Sequence, residues 1–68
     1  MLHITPWERS ALELLAAGTN TADIASHLGI PEPEIRRLLS SLFARMGATT
    51  PADAIAVAFR RGLLAVHH

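Results

Sequence analysis

The 68-residue sequence contains no cysteine, which excludes a disulfide framework and thiolate metal sites and makes a reducing, intracellular compartment the expected setting. It contains no long hydrophobic run either. Half of its residues are apolar, yet nowhere do they line up for the ~20 positions that a membrane-crossing helix needs. No basic and then apolar leader opens the chain, so the expectation is a cytoplasmic protein with no membrane partner. A catalytic set is missing as well. His3, His27, His67 and His68 have neither a paired carboxylate nor a second ligand at fixed spacing, and no nucleophile stands with a base. The residues therefore point to no enzyme, no metal and no cofactor.

Net charge is also lacking: the formal sum is zero, which taken alone speaks against a polyanionic partner. The average conceals a split. Residues 1–34 carry Arg9 against Glu8, Glu13, Asp23, Glu32 and Glu34, one cation against five carboxylates, a net of −4. Residues 35–68 carry Arg36, Arg37, Arg45, Arg60 and Arg61 against Asp53, five cations against one, a net of +4. Such asymmetry describes a molecule with one cationic end. There is no lysine, and arginine favours bidentate contacts to phosphate or guanine over diffuse attraction. A coding bias toward alanine and arginine accounts for the same composition and stands beside that reading. A chain this short buries only ~60% of its unfolded surface, enough for one small domain that gains from a partner or a self-interface.

The β-branched residues are scattered rather than alternating, which leaves little room for strands, and the punctuation is that of helices. Thr5, Pro6 and Glu8 make a capping box with proline at the first helical position, opening a helix over 6–17 that Gly18 stops. Asn20 with Asp23 repeats the device for a helix over 21–28. The third helix, over 32–46, has a poor cap in Pro31 but places Glu32 and Glu34 where the positive end of the helix dipole favours acids, and Gly47 ends it. Thr50, Pro51 and Asp53 open a fourth over 51–61. The short connections make neighbouring helices pack together, so the expected architecture is a single all-α domain spanning 1–68.

The second and third helices are joined by "GIP", too short for anything but a sharply angled pair, which is helix-turn-helix geometry. Ile24, Leu28, Ile30, Ile35 and Leu38 fall where the two helices face each other and the rest of the core. Ala25 is small at the closest crossing, and Gly29 takes the turn position that needs a positive φ. A generic helical hairpin meets part of this pattern. In the third helix Ile35, Leu38, Leu39, Leu42 and Met46 form one apolar stripe. Arg36, Arg37, Ser40, Ser41, Ala44 and Arg45 cover the opposite face, alternating long cations with small residues as a helix lying in a major groove requires. The same face also reads as a solvated surface on which Glu32 pairs with Arg36 and Glu34 with Arg37.

From Ile4 to Leu64 the sequence resembles the LuxR/GerE-type helix-turn-helix domain found at the C-termini of many bacterial response regulators and quorum-sensing regulators, and occasionally alone. The resemblance is carried by "TPWE", "LLAAGTNTADIASHLGI", "ARMG" and "ADAIAVAFRRGLL". It implies a four-helix transcription-factor module whose third helix enters the major groove of double-stranded DNA and whose fourth pairs with its twin over an inverted repeat. Carried over by position, it implies base reading at Pro33, Arg36 and Arg37, and phosphate contacts from Thr21, Ser40, Ser41 and Arg45. The sequence departs from the family where Ala22 replaces a common lysine, Pro31 the usual serine cap and Glu34 a threonine that often touches phosphate. Leu38 replaces a polar residue, Pro51 an arginine and Trp7 a residue that is usually basic. Pro33 has no side-chain group for a polar base contact. Each change removes a donor or adds a repulsion, and nonspecific affinity scales with the number of phosphates neutralised.

The fourth helix argues for self-association on its own terms. "AIAVAF" is apolar on nearly every side, and a small core cannot cover all of a helix. The expectation is a two-fold homodimer in which Ala54, Ile55, Ala58 and Phe59 share core and interface duties. Ordinary core packing with exposed alanines is the alternative. Trp7 reads as a partly exposed packing residue and Phe43 as core. The leading function is thus a DNA-binding transcriptional regulator, and any signal reaches it through abundance, a partner or a parent protein. The alternative is a degenerate helix-turn-helix that docks on another regulator or on RNA polymerase through the fourth helix, Trp7 and the acidic first half. A fragment resembling region four of a sigma factor fits less well, because the long fourth helix and "RRGLL" favour LuxR/GerE.

Overall fold

The computed structural model describes residues 3–64, so His67 and His68 lie outside the described residues. The described residues form four helices and no strand: α1 (Pro6–Ala16), α2 (Thr21–Leu28), α3 (Glu32–Met46) and α4 (Pro51–Arg60). This is the all-α, four-helix helix-turn-helix architecture that the spacing implied.

The helix starts follow from their caps. At α1 the Thr5 hydroxyl accepts from the Glu8 N–H at 3.1 Å, and the Glu8 carboxylate accepts from the Thr5 N–H at 2.9 Å, so two otherwise orphaned donors are satisfied reciprocally. Helices α2 and α4 use half of this device. Asn20 accepts from the Asp23 N–H at 2.9 Å and Thr50 from the Asp53 N–H at 3.0 Å, while Asp53 turns to the Thr49 N–H at 3.3 Å. Helix α3 has no side-chain cap, because Pro31 offers none, and its first turn holds Glu32 and Glu34.

All four helices end in the same wrap. Backbone N–H groups of Thr19, Ile30, Ala48 and Leu63 donate to the carbonyls of Leu14, Ala25, Phe43 and Ala58 at 3.0, 3.1, 2.9 and 2.8 Å. The residue before each of these donors must turn left-handed. Gly29 does so between α2 and α3 with φ of 68° and Gly47 between α3 and α4 with φ of 72°, a conformation that costs an L side chain its backbone comfort. Since an added Cβ at either position meets nothing within 4 Å, the requirement for glycine is one of backbone alone.

The apolar stripe of α3 serves two cores. Its first half, Ile35 and Leu39, packs with Ala11, Ile24 and Ala25 from α1 and α2. Its second half, Leu42 and Met46, packs with Leu12, Ala54, Val57, Ala58, Leu63 and Leu64. Phe43, half-buried, touches both. Arg9 donates to the Leu63 carbonyl at 2.8 Å and ties the turn after α4 to α1. No described helix is long and apolar enough to cross a membrane.

Candidate nucleic-acid interface

With Ile35, Leu39, Leu42 and Met46 turned inward, the outer side of α3 presents Pro33, Arg36, Arg37, Ser40, Ser41, Ala44 and Arg45, all exposed. Leu38, expected in the stripe, is only half-buried. It lines an open groove of about 470 Å³ together with Trp7, Ile30, Glu34 and Arg37. Trp7, read as a partly exposed packing residue, is 53% exposed and lines this groove from the first turn of α1. On the other flank of α3 a groove of about 370 Å³ gathers Thr21, Arg36 and Ser40 with Leu15, Leu39 and Phe43. Three of the residues marked for DNA contact therefore share one wall, while Arg37 faces the other.

The charges on this face are not all free. Thr21, from the start of α2, donates its hydroxyl to Glu32 Oε2 at 2.8 Å, and Arg36 donates to the same oxygen at 3.2 Å. These two contacts, the Thr21 hydrogen bond first and the Arg36 hydrogen bond second, hold the Glu32 carboxyl below the usual glutamate range. The Glu32 and Arg36 side chains thus meet as their spacing on one helix allows. Among the described residues no ion pair joins Glu34 to Arg37, and Arg37 is exposed with no described carboxylate on it.

Arg45 lies elsewhere than its position in the pattern suggests. Its guanidinium is paired with Glu8, the buried carboxylate that also completes the α1 cap, and its Nε donates to the Ser41 carbonyl at 3.4 Å. No local signal announces this pair, because its partners come from α1 and α3 and only packing brings them together. The Thr21–Glu32 contact was equally hidden, since it crosses from one helix to the next.

On α4 the four residues marked for an interface divide. Ala54 and Ala58 are fully buried in the chain's own core, so they have no surface to share with a second copy. Ile55 is half-buried and Phe59 is 39% exposed. Ala52 and Ala56, not singled out from the sequence, are exposed alongside them. Helical periodicity separates the two sets: Ala54, Val57 and Ala58 point one way, and Ala52, Ile55, Ala56 and Phe59 another. His3 and His27 are exposed, and among the described residues no group of three or more His, Cys, Asp or Glu side chains could hold a metal ion.

Comparison with known proteins bears on this geometry. A family model described as bacterial regulatory proteins, luxR family, matches residues 3–58, from before α1 to well inside α4. The transcriptional regulatory protein YdfI of Bacillus subtilis (strain 168) is 29% identical over 63 residues, a stretch that takes in 93% of this chain and 30% of YdfI. The chain therefore spans less than a third of the length of that curated relative. No solved structure matches the chain at a significant level.

Proposed function

The chain belongs to the luxR family of bacterial regulatory proteins, and on that premise we propose that it binds double-stranded DNA as a transcriptional regulator, with α3 entering the major groove. The observation that carries this reading is the outer face of α3, where Arg36, Arg37, Ser40 and Ser41 stand exposed on a helix that follows the left-handed turn at Gly29. Small residues let the helix sink toward the base edges while guanidinium groups reach guanine and phosphate oxygens. Arg37 is the foremost contact, and Pro33 reads shape rather than hydrogen bonds. Thr21 and Ser40 serve phosphate from the same wall as Arg36, and Ser41 from the neighbouring turn. Arg45, joined to Glu8, is the weakest of the proposed contacts. Two copies pair through Ile55 and Phe59 with the exposed Ala52 and Ala56, which places two α3 helices on an inverted repeat.

Selection of bound fragments from a randomised duplex library at about 100 mM salt, near physiological screening, tests the reading. The wild-type protein is expected to enrich an inverted repeat, and the Arg36→Glu, Arg37→Glu double variant to enrich nothing. Equal enrichment by both would remove these arginines from the interface. The pairing of Arg36 and Arg45 with glutamates favours a second reading, a protein-docking module for another regulator or RNA polymerase that uses the Trp7 groove. A folded protein that enriches no duplex at all would move the assignment there.

A further inference from the structure

Glu32 stands between two donors that the DNA-binding reading gives to the nucleic acid. One carboxylate oxygen receives both the Thr21 hydroxyl at 2.8 Å and the Arg36 guanidinium at 3.2 Å. A phosphodiester offers the same kind of anionic oxygen to the same kinds of donor. Glu32 is also the first residue of α3, where free N–H groups and the helix dipole attract an anion of either type. Glu34, two residues on, is exposed and accepts from neither donor, so the arrangement belongs to Glu32 and not to acidity in general.

We infer that Glu32 is an internal substitute for a DNA phosphate: its carboxylate occupies Thr21 and Arg36 in the free protein, and duplex DNA has to displace it to engage them. The inference rests on the DNA-binding reading above and adds a residue that sets the affinity of the site. Arg36 is therefore shared between Glu32 and an incoming phosphate, and nonspecific binding is lowered by that competition. Because each phosphate neutralised contributes ~0.9 to the slope of log K against log salt, freeing Arg36 steepens that slope by about one. Measured from a 1 M reference, the same relation sets a ceiling of about eightfold on the gain in nonspecific affinity at 100 mM salt.

The experiment is a salt titration of binding to a short random-sequence duplex, comparing the wild-type chain with Glu32→Ala, Glu32→Gln and Glu34→Gln, each with and without Arg36→Gln. Urea unfolding confirms that every variant is folded. The expected result is tighter binding and a steeper slope for Glu32→Ala, an intermediate effect for Glu32→Gln, and loss of both effects when Arg36→Gln is present. Glu34→Gln is expected to act equally in both backgrounds, as simple relief of repulsion does. If Glu32→Ala also acts equally in both backgrounds, Glu32 is only a repelling charge and the inference is overturned. Weaker binding by Glu32→Ala overturns it too, since the carboxylate would then be orienting Arg36 on the DNA. Those failures leave the DNA-binding reading standing, whereas folded proteins that bind no duplex in any version remove the reading and the inference together.

Discussion

At the start of α3, Arg36 meets Glu32 at 3.2 Å one turn away, with side chains 67% and 36% exposed; near its end, Arg45 meets Glu8 from α1, with side chains 40% and 9% exposed. The first pair lies in water, where solvent or another anion replaces either partner at little cost. The second cannot be dismantled so easily. Glu8 is buried and accepts from the Thr5 N–H as well as from Arg45, and a buried carboxylate stripped of its partners loses what compensates its desolvation. The apolar stripe is buried along its whole length, Ile35 and Leu39 in one core and Leu42 and Met46 in the other. One helix, held by its apolar stripe throughout, thus carries an exposed ion pair at its presenting end and an anchored one near its other end, and similar ion pairs serve opposite purposes in the two places.

Substitutions that attack the two ends separately would sharpen or break this contrast. The largest effect is expected at Leu42→Ala, which empties a fully buried position and should lower unfolding free energy by about 3 kcal/mol in urea titrations; a loss under about 1 kcal/mol would mean that the second half of α3 is not anchored. Next comes Glu8→Ala, which removes a cap contact of about 1 kcal/mol and a partly exposed ion pair of up to about 1 kcal/mol. In that background Arg45→Ala should add almost nothing, and full additivity would show that the two side chains act independently.

The smallest effect is expected at Glu32 and is identified by its dependence on pH. The Thr21 and Arg36 hydrogen bonds lower its folded-state value below the ordinary 4.5, so the ionised form is the one that stabilises. That contribution is fully present above the unfolded-state value and is lost as pH falls through the lower folded-state value. The advantage of wild type over Glu32→Gln in urea midpoint should therefore be flat above pH 4.5 and shrink below it. A gap that widens on acidification would contradict the hydrogen bonds that define the presenting end.

Much of this molecule was legible from local chemistry. Thr5 with Glu8, Asn20 with Asp23 and Thr50 with Asp53 mark helix starts because a cap and the N–H it receives lie three residues apart. Gly18, Gly29, Gly47 and Gly62 mark the ends because only glycine turns left-handed without strain. The stripe Ile35, Leu39, Leu42, Met46 and the exposed arginines opposite it follow from a period of 3.6 residues. Where the pattern was ambiguous, as in a helix apolar on nearly every side, the sequence could not say which alanines were inside. Ala54 and Ala58 went to the core and Ala52 and Ala56 to the surface, because α4 has one face against Leu12, Leu42 and Met46.

The sequence by itself determined the four helices, the turn at Gly29 and which side of α3 carries arginine, since each depends on residues no more than a turn or two apart. Only the tertiary structure decided which of those arginines are free. Arg45 is taken by a carboxylate on α1, and Thr21 from α2 joins Arg36 on Glu32, while Arg37 is left facing outward. The reason is physical: a cation's availability depends on the nearest anion in space, and the contacts through Glu8 and Thr21 exist only once separate helices have been packed together.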